Sequence, residues 1–126
     1  MTTWTSAELG RIGQAEVLRV TSARPDGTLR PYVTIWVVRV GDDLYIRSAY
    51  GPDNPWFRRA KASGAGRIRA DGLERDVTFA EPAPGVHPAV DEAYRVKYDW
   101  YGPAILGTVV GPQAHAVTIR LLPRTS

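Results

Sequence analysis

Between Tyr45 and Arg69 the sequence YIRSAYGPDNPWFRRAKASGAGRIR gathers six of the chain's sixteen basic residues: Arg47, Arg58, Arg59, Lys61, Arg67 and Arg69. Binding a phosphate-bearing ligand requires such a concentration of donors, and a helix start adds free backbone N–H groups that favour an anion. Arg47-Ser48 reads as the end of a strand and Asn54-Pro55 as the opening of a helix, so both kinds of donor would surround the intervening loop. A charge-assisted bond from Arg47, or from Arg30 on the preceding strand, would contribute roughly 1.5–3 kcal/mol if shielded from water. The plainer reading of the same residues is a solvated basic face. Within the stretch, Arg67 and Arg69 alternate with Ile68 and read as a solvent-facing edge.

Other chemistry has little to stand on. His87 and His115 are isolated and lack metal-ligand spacing, and His115 alternates with core positions like an ordinary strand residue. The absence of cysteine excludes disulfides, thiol catalysis and thiolate metal sites. Ser48 lacks the strained G-x-S-x-G turn of an esterase, and neither common nucleotide loop is present. Gly64-Ala65-Gly66 reads instead as a helix stop and strand entry. Asp91, Glu92 and Asp99 could be acid/base groups, but such charges more commonly form a solvated helix face. With no self-contained catalytic apparatus, any chemistry would be carried by a cofactor that the protein binds and orients.

The elements that must position these residues follow from local signals. Thr5-Ser6-Ala7-Glu8 has the spacing of a capping box and predicts a short helix with Leu9 and Ile12 on its apolar edge. Residues 15–23 alternate as a strand, and Arg24-Pro25-Asp26-Gly27 predicts a turn into a hairpin. Leu29 to Val40 reads as one long strand with both faces apolar, one covering the core and the other needing a partner subunit, a ligand or a terminal helix. Gly41-Asp42-Asp43 would turn the chain into a third strand, Leu44 to Ser48. Asn54 as N-cap, Pro55 in the first turn and Gly64 as stop bound a helix over 55–63. Gly66–Ala70 and Glu74–Glu81 form a second hairpin around Asp71-Gly72, with Ile68, Val77 and Phe79 inward. Val90, Ala93, Tyr94, Tyr98 and Tyr101 follow a helical stripe that the Lys97 stem can cover. Ala114 to Leu122 closes the chain as a strand, with a further one near Thr108. This order of short antiparallel strands, tight turns and short helices predicts a mainly β, α+β domain built as a small barrel.

A chain of 126 residues suits a single domain spanning 1–126, and the 44% apolar and 23% charged fractions are those of a globular protein. No apolar run reaches the roughly 20 residues needed to span a bilayer, and MTTWTSAELGRIG lacks a signal-peptide pattern, so a cytoplasmic protein without a membrane partner is expected. Fourteen of the sixteen basic residues are arginine, scattered among acids. Nucleic acid would call for a continuous basic stripe with interleaved aromatics, of which the region around Arg58 and Arg67 is only a weak version.

The segment Ser48-Ala49-x-Gly51-x-x-x-Pro55-Trp56, followed by Ala60-x-Ala62, resembles the signature of split β-barrel proteins that bind flavin mononucleotide (FMN) or a deazaflavin, the pyridoxamine-phosphate-oxidase-like superfamily. In particular it is similar to the deazaflavin-dependent nitroreductase branch, and Asp26-Gly27-x-x-Arg30-Pro31 resembles that branch's turn ahead of its apolar strand. The whole pattern, including Ile35-Trp36-Val37-Val38 and Tyr94-Arg95-x-Lys97-Tyr98, is closer still to an uncharacterised bacterial branch of the superfamily. The resemblance implies an FMN-binding split-barrel-like fold, an oxidoreductase acting on a small organic substrate by hydride transfer, and a homodimer with the site at its interface. It implies Arg30 and Ser48 as phosphate contacts with Arg47 beside them, and Trp56 against the cofactor. Ala49, Gly51 and Arg59 complete the candidate set; Arg59 stands where the branch has Asn, which favours the alternative of a cofactor-free barrel serving as a small-molecule or interaction module. If a flavin-like ring binds, Trp36, Tyr45, Tyr50 and Trp56 could line its slot.

Overall fold

The structure, a computed structural model, describes residues 3–49 and 51–124. Tyr50, expected beside the ring slot, lies outside the described residues. Helix α1 (Ser6–Gln14) opens with the expected capping box: Thr5 Oγ1 accepts from Glu8 N–H while Glu8 accepts from Thr5 N–H. Strand β1 (Leu18–Ser22) then turns at Gly27, whose φ of 88° suits glycine, into β2 (Val33–Ile35). After β3 (Val38–Val40) and β4 (Asp43–Arg47) comes α2 (Pro55–Ser63), then the hairpin β5 (Ala65–Ala70) and β6 (Leu73–Ala80). Helices α3 (His87–Tyr98), α4 (Pro103–Leu106) and α5 (Pro112–His115) precede the last strand, β7 (Thr118–Pro123).

Among the described residues the seven strands form one antiparallel sheet in the order β2-β1-β5-β6-β7-β4-β3. Its edge strands, β2 and β3, are consecutive in the chain and separated only by Trp36 and Val37. The sheet must therefore curl until its edges meet at that corner, which is how a barrel removes its free edges. The long strand expected over Leu29–Val40 is thus corrected to two, because its halves pair with different partners, β1 and β4. The corner's backbone is satisfied from α3: Val37 N–H donates to the Tyr98 hydroxyl (3.2 Å), and Lys97 Nζ donates to the Val37 carbonyl (2.6 Å).

The two apolar faces of this run have two covers. Val37 lies in the barrel interior with Leu18, Leu44, Ile46, Ile68, Val77, Ile119 and Leu121, where Leu9, Ile12, Trp56 and Phe57 also pack. Val38 joins a second cluster beneath α3, with Tyr45, Val90, Tyr94 and Tyr98. A helix fills the outer face, but an internal one, α3, and not the terminal helix that was one of the three covers expected. Burying about ten large apolar side chains in the interior, at roughly 1.5–3 kcal/mol each, supplies the main drive for closure.

Three further expectations are corrected. No strand forms near Thr108, where turns link α4 to α5. Residues 114–117 do not extend the last strand, because Ala114 and His115 end α5, so His115 is not a strand residue. Asn54 precedes α2, but its side chain makes no cap bond, while Gly64 (φ 75°) ends the helix with its N–H on the Ala60 carbonyl. Among the described residues no helix is long and apolar enough to cross a membrane.

Candidate functional site

Where β2 bends into β3, a cavity of about 330 Å³ lies between Trp36, Trp56, Arg47 and Ala49, with Ile105 and Val109 on its far side. Trp36 is fixed by stacking on Tyr98, with ring centroids 4.1 Å apart and planes within 6°. Trp56 is held edge-on by Phe57 at 5.9 Å, at the start of a helix whose apolar residues face the barrel interior. Tyr45 is buried in the α3 cluster and does not line this cavity.

Arg47 ends β4 with no side-chain exposure. Its Nε donates to Thr118 Oγ1 (2.8 Å) and its Nη1 to the Val109 carbonyl (2.7 Å), and Nη1 also meets Asp91 Oδ1 in a salt bridge. Its Nη2 is buried and has no partner among the described residues. Asp91 Oδ2 in turn takes a bond from His115 Nε2 (3.1 Å), whose ring stacks on His87 at 4.5 Å. Burial alone would raise the Asp91 pKa, but the bonds from Arg47 and His115 outweigh it and hold the carboxyl below its ordinary range. His87 is pushed down, first by burial and then by the positive potential of its neighbours His115 and Arg47.

The expectation that Asp91 belongs to a solvated helix face is therefore corrected: it is buried and accepts from Arg47 and His115. A signal for this existed, since Asp91 lies three residues before Tyr94 and seven before Tyr98, on the stripe that α3 buries. Arg47 accordingly meets the cavity as a charge already matched by Asp91, with N–H groups to spare on Nη2. Ser48 is fully buried and its hydroxyl donates to the Gly51 carbonyl (2.6 Å), closing the turn that Gly51 completes at φ 93°. Ser48 and Gly51 thus shape the loop that holds Ala49 and Asn54 against the cavity.

Arg30 and Arg59 are brought together elsewhere. With Trp56, Val33 and Phe79 they line a narrow neck of about 20 Å³ beside the tryptophan cavity. Beyond it opens a cleft of about 890 Å³ lined by Arg24, Arg30, Arg58, Arg59 and Arg124, and by no acidic residue. Among the described residues none of these five arginines takes part in an ion pair. Arg67 and Arg69, by contrast, pair with Asp76 and Glu74 at the sheet surface. Sequence reasoning missed Arg124, which only the pairing of β6 with β7 brings near the β1–β2 turn and α2. Trp56 is common to cavity and neck, and Arg30 and Arg59 to neck and cleft, so the three lie side by side. No group of three or more His, Asp or Glu side chains among the described residues is arranged to hold a metal ion.

The model of a family described as "Uncharacterized protein conserved in bacteria (DUF2255)" matches residues 8–121. Curated proteins give no sequence match. Among solved structures, an F420 reductase is 18% identical with a TM-score of 0.61, the match covering 98% of this chain and 96% of that one. An FAD-binding protein from Mesorhizobium loti is 22% identical with a TM-score of 0.57, covering 98% and 92%. A protein from Listeria innocua, provisionally named a pyridoxamine 5′-phosphate oxidase, is 17% identical with a TM-score of 0.63, covering 93% and 90%. At these identities the likeness establishes the fold, and it is the split β-barrel that the signature around Ser48–Trp56 implied.

Proposed function

The chain belongs to the bacterial family DUF2255, and from that premise and the site's composition we propose that it binds a flavin-type cofactor, FMN or a deazaflavin, as a cytoplasmic oxidoreductase acting on a small organic substrate. The observation that carries this reading is the adjacency of the tryptophan cavity and an acid-free arginine cleft, on either side of Trp56, Arg30 and Arg59. An apolar, aromatic slot suits a flat ring, and guanidiniums suit a phosphate. The names of two structural neighbours, an F420 reductase and an FAD-binding protein, support the same ligand class.

In this reading Trp36 and Trp56 contact the ring and Ala49 keeps the wall low enough to admit it. The unpartnered Nη2 of Arg47 donates to a ring oxygen or nitrogen, which relieves the cost of burying it unmade. Arg30 and Arg59 hold the phosphate. The cofactor, when bound, supplies hydride transfer; the protein supplies binding, orientation and exclusion of water. The candidate set of the sequence thereby divides into ring contacts (Ala49, Trp56, Arg47), phosphate contacts (Arg30, Arg59) and loop-shaping residues (Ser48, Gly51). A homodimer belongs to the proposal: Ile105 on the cavity rim is 46% exposed and nearby Trp100 66%, an apolar edge that a second copy would cover.

Titration of the purified protein with FMN, FAD and a deazaflavin tests this, read by cofactor absorbance and quenching of tryptophan fluorescence. Saturable binding below ~100 μM is expected, equivalent to roughly 5.5 kcal/mol or better. If none of the three binds at that concentration, the proposal fails and the cofactor-free module, for which Arg59 in place of Asn is the supporting feature, takes its place. A molar mass by light scattering equal to one chain, with cofactor bound, would remove the dimer.

A further inference from the structure

The proposed cofactor contacts leave a cluster behind the tryptophan cavity unused. Arg47 of β4 is its member on the cavity wall, Asp91 and His87 come from α3, and His115 comes from α5. Asp91 joins the others, with one carboxylate oxygen on Arg47 Nη1 and the second on His115 Nε2 at 3.1 Å. An ionised carboxylate only accepts, so Nε2 carries the hydrogen and Nδ1 is left as the nitrogen at which His115 takes up a proton. The His115 side chain is 32% exposed, so water reaches its ring, whereas the Arg47 side chain is closed off. His87 stacks on His115, with centroids 4.5 Å apart and planes within 11°. Burial first, and then the charges of His115 and Arg47, resist a proton on His87. The stacked pair therefore holds one proton and not two, and Asp91 draws it to His115.

With both histidines neutral the cluster carries no net charge, Arg47 standing against Asp91. The other charges on α3, β4 and β7 are engaged: Glu92 with Arg95, Lys97 with the Val37 carbonyl, and Arg120 with Asp43. Tyr94 stays neutral, because burial raises its hydroxyl pKa, and α4 has no ionisable residue. A neutral acceptor on the spare Nη2 of Arg47 leaves this balance intact. An anion there makes the sum negative where little water is at hand, which is costly, and one proton on His115 restores it.

We infer that the tryptophan cavity takes an anionic group at Arg47 together with one proton at His115, so that of two flat rings alike in shape it prefers the one bearing a negative charge. This rests on the proposed ring slot and on the contact of its ligand with Arg47. Asp91 and His87 are positioning residues: Asp91 holds Arg47 and His115 in one network, and His87 stacks on the ring that takes the proton. Proton and anion each strengthen the binding of the other by the same factor, so the preference grows as pH falls through the histidine range.

The test uses 2-naphthoate and 2-naphthamide, rings of one shape with and without a charge, titrated into the full chain from about pH 5.5 to 8.5, where a carboxylate stays ionised. Calorimetry in two buffers of different ionisation enthalpy counts the protons taken up, and NMR follows the rings of the chain's two histidines. Naphthoate is expected to bind roughly 10-fold more tightly at the acid end of the range and to move the His115 titration to higher pH by about one unit, the two effects being equal by linkage. Between the free and bound titrations it should take up about half a proton, which is what a one-unit displacement implies. Naphthamide should do none of this. The variant His115→Gln keeps an N–H donor for Asp91 and removes the titration, so the pH dependence of naphthoate binding should vanish in it. Should that variant not fold, the wild-type histidine titration decides alone. Arginine does not titrate in this range, so naphthoate held at the arginine cleft would bind equally at both ends of it. Such a flat profile, or a pH dependence that survives His115→Gln, overturns the inference and leaves the ring slot standing. If neither ring binds at ~1 mM, the ring slot fails and the inference falls with it.

Discussion

Replacing Asp91 with alanine would leave the Arg47 guanidinium, which has no side-chain exposure, as an unmatched charge inside the protein. The intact pair is worth little net, since desolvation offsets attraction, but removing one partner of a buried pair typically costs about 3–5 kcal/mol. Arg47 would keep its bonds to Thr118 Oγ1 and the Val109 carbonyl, and Asp91 is 11% exposed, which places the loss at the lower end, about 3 kcal/mol. At an unfolding entropy of about 2.1 cal/mol/K per residue, a 126-residue chain loses roughly 4 °C of melting temperature per kcal/mol, so the variant should melt about 11 °C below wild type. Chemical denaturation at pH 7 measures the free energy directly. The double variant Arg47→Met/Asp91→Leu removes both charges at similar volume and should recover at least half of the loss. The pH dependence carries the same signature. Asp91 has a folded-state pKa below its ordinary 3.8, so its contribution is fully present above that value and is lost as pH falls through the lower folded value. The Asp91→Ala variant should therefore lack part of the wild type's acid limb. A loss below about 1 kcal/mol, or a double variant no better than the single one, would refute the buried-pair account.

Other perturbations follow from single contacts. Gly66→Ala would place a Cβ 1.9 Å from the Thr21 carbonyl oxygen and 2.9 Å from the Phe79 ring, where β5 meets β1, and should cost about 3 kcal/mol or prevent folding; Gly10→Ala, with nothing within 4 Å, should instead stabilise α1 by roughly 0.5–1 kcal/mol in the same denaturation assay. Lys97 is pushed down to about 8 by burial, so the folded state gives up this proton before the unfolded chain does, and stability should rise between pH 8 and 10. After discounting for the part of Lys97 that water still screens, the rise is about 1 kcal/mol, and Lys97→Met should flatten it. His87 resists protonation in the fold, so stability should decline as pH falls below 6.5, and His87→Gln should remove that decline while costing at pH 8 only the stacking on His115, because His87 Nδ1 has no hydrogen bond to lose among the described residues.

The elements that the sequence made legible are those set by neighbours a few residues apart. The Thr5–Glu8 capping box, the turn at Gly27, the bounds of α2 at Pro55 and Gly64, and the Asp71-Gly72 hairpin are all local chemistry, and each forms as its residues require. Leu29–Val40 misled because alternation reports only that both faces are covered. It cannot report that the two halves pair with opposite edges of one sheet, nor that Tyr98 and Lys97 satisfy the corner between them.

The sequence by itself determined which side chains could take part: two tryptophans for a flat slot, a serine-glycine turn before α2, and arginine as almost the only cation. Only the tertiary structure decided what each arginine does. Closing the sheet drew Arg47 inside, where a bare charge is too costly, and so bound it to Asp91 from α3. The same closure set Arg24, Arg30, Arg58, Arg59 and Arg124 around one cleft without a carboxylate among them. A charge becomes structural or available according to its burial and its neighbours, and both are properties of contacts between residues far apart in the chain.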